Sequence, residues 1–130
     1  VVSAQPDARV SEIVRMMKDR NVGSVVITDQ NRPVGIITDR DVLLRIVAEK
    51  RDPEAVAVSE VMTRDPMVFP ADISVHEAVQ KMENKWFRRI PIVDGNGRLT
   101  GIVSIDDLMG LLIREMASIA SIVRKQMPSF

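Results

Sequence analysis

Cysteine and tyrosine are absent from the 130 residues, and histidine and tryptophan occur once each. Without cysteine there is no disulfide framework, no thiolate nucleophile and no cysteine-ligated zinc, which suits a reducing cytoplasm. The lone histidine, His76, falls on the polar side of a helical stretch. Neither a nucleophile–base pair nor a three-ligand zinc site then assembles in the usual ways. Net charge is missing too, since 18 basic and 18 acidic side chains cancel. No global field draws a polyanion such as nucleic acid, so any anion site has to be local. No apolar run approaches the roughly 20 residues of a membrane span, and no basic-then-apolar leader opens the chain. The absences point to a cytoplasmic chain that is not an enzyme, holds no metal, and touches neither nucleic acid nor membrane.

What is present is an internal repeat. Val10, Ile13, Val14 and Met17 have the spacing of an amphipathic helix, and Val75, Ala78, Val79 and Met82 reproduce it at a constant offset (75 − 10 = 65). A β-rich run follows each, Ser24–Thr28 and Arg89–Val93, and ends in turn residues, Asp29-Gln30-Asn31 and Asp94-Gly95-Asn96-Gly97. Next come Val34–Thr38 and Thr100–Ser104, each entering a further helical stretch. Short strands precede the first helices at Val1-Val2-Ser3 and Met67-Val68-Phe69. The pattern predicts an α+β protein of two βαββα units, residues 1–50 and 61–130, joined by a polar surface connector over 51–60. A unit of roughly 50 residues is too small to be comfortably stable alone, so the two are expected to pack sheet to sheet about a pseudo-two-fold axis.

Two segments carry a family resemblance. Gly35-Ile36-Ile37-Thr38-Asp39-Arg40-Asp41 and Gly101-Ile102-Val103-Ser104-Ile105-Asp106-Asp107 resemble the signature of cystathionine-β-synthase-type (CBS) domains: glycine, two apolar residues, then Ser/Thr-x-x-Asp. Val61-Met62-Thr63 and Ile90-Pro91-Ile92-Val93-Asp94 match that family's habits as well. The resemblance covers nearly the whole chain. It implies a regulatory module that senses AMP, ADP, ATP or S-adenosylmethionine in clefts between the units and passes the signal to an effector domain or protein.

The residues suit that chemistry. A carboxylate can accept from both vicinal hydroxyls of a ribose, and Asp41 and Asp107 stand where the family places that group. Thr38 and Ser104, three residues earlier, sit at strand-to-helix junctions whose free amides can meet a phosphate. The same Ser/Thr-x-x-Asp is also a capping box that only satisfies those amides. By the resemblance, the principal cleft takes Ile36, Thr38, Arg40 and Asp41 with Met62, Thr63, Met67 and Phe87, and Arg88 on the neighbouring strand is expected to touch a ligand phosphate there. A weaker cleft takes Val2, Val22, Ile102, Ser104 and Asp107. Arg40 favours phosphate in the first, whereas Asp106 disfavours it in the second. The second cleft's wall is further expected to be incomplete, because the first unit begins abruptly at Val1.

The other motifs have simpler readings. Trp86-Phe87-Arg88-Arg89 mixes aromatic and basic residues, but the two arginines alternate faces on a strand and form no nucleic-acid patch. Asp106-Asp107 could attract magnesium, yet adjacent acids at a helix start ordinarily complement its dipole. The last helix is longer than its counterpart, with apolar residues at Leu108, Leu112, Met116, Ile119, Val123 and Met127. That stripe predicts a homodimer formed partly through this helix, and a purely structural dimerisation module is the alternative to a sensor.

Overall fold

A computed structural model describes residues 1–83 and 88–126. The fold is mixed α+β, with two small sheets and four α-helices among the described residues. Two compact units are present, Val1–Asp72 with Ile90–Ile102 and Ile73–Arg89 with Val103–Phe130.

The first compact unit is built around a four-stranded sheet of order β1-β2-β3-β4. β1 (Ser3–Ala4) lies parallel to β2 (Ser24–Asp29), and β3 (Arg32–Thr38) lies antiparallel to it. Gln30 and Asn31 close the β2–β3 hairpin with φ of 51° and 63°. Two consecutive left-handed residues make the tight turn whose twist matches the strands, a role for which asparagine is well suited. Helix α1 (Val10–Arg20) ends at Asn21, also left-handed, with φ 52°. It buries Val10 and Ile13 against Val25, Ile27 and Ile37 of the sheet. Val14, expected on the same stripe, is 39% exposed, as is Val79 at 42%, its match in the second repeat. The buried stripe is thus narrower than the sequence suggests.

Two sequence expectations need correction. The polar start of the connector is exposed, but Val56 and Val58 further along belong to the first core. The amide of Val10 bonds the carbonyl of Val56, and that of Val58 bonds Ala8, so this stretch is no surface linker. Polar Asp52-Pro53-Glu54 conceals the apolar alternation that follows. The second helical stretch is likewise no single α-helix. Helix α2 covers only Asp39–Val42 and passes into a π-helical turn over Leu43–Val47. The amides of Ala48 and Arg51 there reach back five residues, to Leu43 and Ile46.

The second sheet has order β5-β6-β7, with β5 (Phe69–Pro70) parallel to β6 (Arg89–Val93) and β7 (Leu99–Ser104) at its edge. Phe69, Ile90 and Pro91 are fully buried. In the β6–β7 turn, Asp94 accepts from the amides of Asn96 at 2.8 Å and Arg98 at 3.0 Å. These bonds, that from Arg98 foremost, hold its carboxyl below the ordinary carboxylate range. A depressed folded pKa means stability that is present above the unfolded value and lost as the pH falls through the folded one. Urea titrations of Asp94→Asn should therefore show a flatter loss of stability below about pH 4 than wild type.

The second compact unit holds α3 (Val75–Met82), capped by the Ser74 hydroxyl, and α4 (Ile105–Gln126). Among its described residues, Ala78, Met82 and Leu108 are the buried apolar ones. His76 is exposed.

Candidate functional site

The first Thr-x-x-Asp segment lies where β3 ends and α2 begins. Thr38 remains extended, with φ −113° and ψ 165°, while Asp39 starts the helix. Two reciprocal bonds fix the junction. The Thr38 amide donates to Asp41 Oδ2 at 2.9 Å, and the Asp41 amide donates to Thr38 Oγ1 at 3.2 Å. The capping box is therefore formed, and it aims the remaining carboxylate oxygen, Oδ1, elsewhere. That oxygen faces Arg45 Nη2 at 3.8 Å, while Arg45 Nη1 donates to the carbonyl of Val61 at 2.7 Å. The Asp41 side chain is 18% exposed, enough for a small donor to reach it.

Strand β4 (Thr63–Arg64) brings the start of the second repeat alongside. It pairs antiparallel with β3, with Ile36 opposite Thr63 and Gly35 opposite Arg64. Alternation along a strand then puts Ile36, Thr38 and Thr63 on one face, next to Asp41. Met62 goes the other way. Its side chain is buried in the core and lies across Gly35, where an added Cβ would fall 2.8 Å from Met62 Cγ and 2.9 Å from Cε. Only its backbone borders the candidate face.

This contact explains the first signature glycine without any ligand. At Gly101 the nearest atoms to an added Cβ belong to Ile92, at 3.7 and 3.8 Å, which is ordinary packing. Gly35→Ala should accordingly destabilise the protein, by about 1–2 kcal/mol, because the Met62 thioether is flexible but must shift within the core. Gly101→Ala should stay within about 1 kcal/mol of wild type, in either direction. Urea denaturation midpoints of the two variants check the contrast.

The remaining predicted residues are dispersed. Arg40 is exposed, and among the described residues no ion pair engages its guanidinium. Met67 is half-buried between β4 and β5. Phe87 and Trp86 lie outside the described residues, as does Met127. Arg88 belongs to the second compact unit and pairs there with Asp106, the acid expected to repel phosphate, at 3.6 Å. Both partners are more than two-thirds exposed, and such a pair contributes little. Val2, Val22 and Ile102 fall in the first compact unit, Ser104 and Asp107 in the second. Val2 packs against the first core and accepts the Val26 amide at 3.1 Å. Ser104 and Asp107 form their own capping box, with bonds of 3.0 and 3.1 Å.

Arg45 was not singled out in the sequence. A signal was there, an acid four residues before a base, which places the two on one helical face. Past the hairpins the offset is 66, as from Asp41 to Asp107, because the second turn is one residue longer. The second repeat then has Leu111 at the matched position (45 + 66 = 111), so only the first box carries this cation. Among the described residues, no three His, Cys, Asp or Glu side chains gather closely enough to hold a metal ion, and no helix is long and apolar enough to cross a membrane.

Two sheets, a doubled strand–helix–hairpin–helix order and a doubled Ser/Thr-x-x-Asp junction define a tandem-repeat α+β domain. The CBS domain model matches residues 1–48 and 58–114, and the chain belongs to this family. An uncharacterized protein of Methanopyrus kandleri is 37% identical over 110 residues, 84% of this chain and 56% of that protein. This chain thus spans little more than half of that relative's length. The CBS domain-containing protein YhcV of Bacillus subtilis is 38% identical over 83% of this chain and 76% of its own. Among solved structures, a CBS domain protein from Pyrobaculum aerophilum complexed with AMP aligns with a TM-score of 0.73 and 30% identity, covering 82% of this chain and 81% of that one.

Proposed function

We propose that this chain is a ligand-sensing regulatory module, not an enzyme, that binds an adenosine-containing ligand at the face shared by the Thr38–Asp41 junction and strand β4. The observation that carries the reading is the β3–β4 pairing, which sets Thr63 of the second repeat opposite Ile36 of the first, beside Asp41. A ribose donates its two hydroxyls to the Asp41 carboxylate, the base rests near Ile36 and Thr63, and the exposed Arg40 meets phosphate. The AMP complex of the Pyrobaculum protein supports adenine nucleotide as the ligand class, with S-adenosylmethionine as the alternative. The second box, Ser104–Asp107, has neither an arginine at the position of Arg40 nor one at that of Arg45, and is the weaker site.

Repeats 1–50 and 61–130, linked by 51–60, act as one sensor whose bound state is read by an effector domain or protein. A cytoplasmic homodimer is the assembled form, with α4 in its interface. α4 supports this through Met109, Met116 and Ile119, which are 53%, 68% and 61% exposed on one chain.

Thermal denaturation with AMP, ADP, ATP and S-adenosylmethionine tests the ligand reading. At about 100 times its Kd, the cognate ligand should add about 2.7 kcal/mol and raise Tm by roughly 8–10 °C. If none of the four raises Tm, the chain is a structural dimerisation module.

A further inference from the structure

We infer that Arg45 is a positioning residue that ties Asp41 to the entry strand of the second repeat, so that a ligand on Asp41 sets the order of residues 62–65. The inference rests on the ligand reading given above and extends it from a binding face to the means by which binding is passed on. One guanidinium spans two chain segments far apart in sequence, with Nη2 at 3.8 Å from Asp41 Oδ1 and Nη1 at 2.7 Å from the carbonyl of Val61. A planar fork can serve two acceptors at once, which a single ammonium does less well.

The backbone is arranged to put it there. Arg45 lies inside the π-helical turn Leu43–Val47, and such turns are rare, costly and frequent at functional sites. The extra residue in that turn lets Ile46 bury in the core while its neighbour Arg45 stays on the side of the carboxylate. The second repeat has neither the turn nor the cation, for α4 is regular through Leu111. Downstream of Val61, the strand Thr63–Arg64 is held by its short pairing with β3 and by a bond from Arg64 Nη2 to the Ser59 carbonyl at 2.9 Å, and Asp65 by a bond to the Val34 carbonyl at 3.2 Å. A two-residue strand of this kind is readily loosened, so a charge-assisted bond at its root has leverage over it. Ligand hydroxyls donating to Asp41 share the carboxylate oxygen that Arg45 faces without changing its charge, and the guanidinium answers through its bond to the Val61 carbonyl.

The experiment is amide hydrogen exchange read by mass spectrometry on residues 62–65, with and without AMP, alongside calorimetric AMP titration. It uses the full chain as wild type, Arg45→Ala and Arg45→Met. Methionine retains the apolar stem but removes the fork, so it separates packing from pairing. Far-UV circular dichroism confirms that each variant is folded. Without ligand, both variants should exchange residues 62–65 about tenfold faster than wild type, and both should bind AMP about tenfold more weakly. AMP should slow exchange there in wild type and in neither variant. Wild-type exchange rates in both variants, or full restoration by methionine, would overturn the inference. If wild type binds no AMP yet both variants exchange faster, the tie is real, but the ligand reading and the coupling built on it both fall.

Discussion

Asp41→Ala is expected to abolish the AMP-induced rise in Tm, while Asp107→Ala leaves most of it. The capping box does not exhaust Asp41. Its Oδ2 takes the Thr38 amide, but a carboxylate has about four lone-pair directions, and among the described residues Oδ1 meets only the guanidinium, at 3.8 Å. Two ribose hydroxyls can therefore still be accepted. Charge-assisted hydrogen bonds contribute about 1.5–3 kcal/mol each, so losing both removes about all of the 2.7 kcal/mol that saturating ligand provides. The substitution also deletes a cap, at about 1 kcal/mol, which lowers the ligand-free Tm. The quantity to compare is thus the ligand-dependent shift of each variant against its own baseline. The Asp107→Ala variant loses a similar cap and supplies the control. Equal losses of the ligand shift in the two variants would show that the boxes do not differ as sites.

The second large effect concerns α4. Met109, Leu112, Met116, Ile119 and Val123 recur at alternating steps of three and four, the seam of a helix that packs against another helix. On one chain they are between 37% and 68% exposed, and Leu108 alone is buried in that helix. Ser118 and Arg124 lie off this seam. Ile119→Glu should convert the proposed dimer to monomer in sedimentation equilibrium at micromolar concentration. A two-fold interface carries each substitution twice, so two carboxylates lose water against apolar surface, at a cost of several kcal/mol. Ser118→Glu, one residue away but off the seam, should leave the mass unchanged. A monomeric wild type, or a dimeric Ile119→Glu, would remove α4 from the interface.

The sequence makes the periodic parts of this fold legible and the irregular parts not. The strands from Ser24 and from Arg89 and the hairpin at Gln30-Asn31 follow from β-rich apolar runs and turn chemistry. β1 and β5 each begin two residues later than the apolar pattern suggests, because pairing with β2 and β6 starts only at Ser3 and Phe69. Strand β4 has no pattern of its own: Thr63–Arg64 is too short for alternation and exists through its pairing with β3. The π-helical turn is equally silent, since Leu43–Val47 reads as ordinary helix until bonds five residues long appear. At the candidate site, the Thr38–Asp41 junction is legible as a local motif. That Arg45 joins it, and that Met62 turns away from it into the core, depend on long-range neighbours.

The buried connector has a consequence for how this chain can be divided. The sequence repeats every 65 residues, yet the first sheet takes its fourth strand from residues 63–64, and the first core takes Val56, Val58, Val61 and Met62 from beyond residue 50. The unit that was copied is therefore not the unit that folds. A fragment ending at residue 50 would leave Val10 and Ile13 uncovered and β3 with a bare edge, a template for aggregation. A split at the polar stretch 52–54 should instead yield two pieces that reassemble only when both are present, because each lacks side chains held by the other.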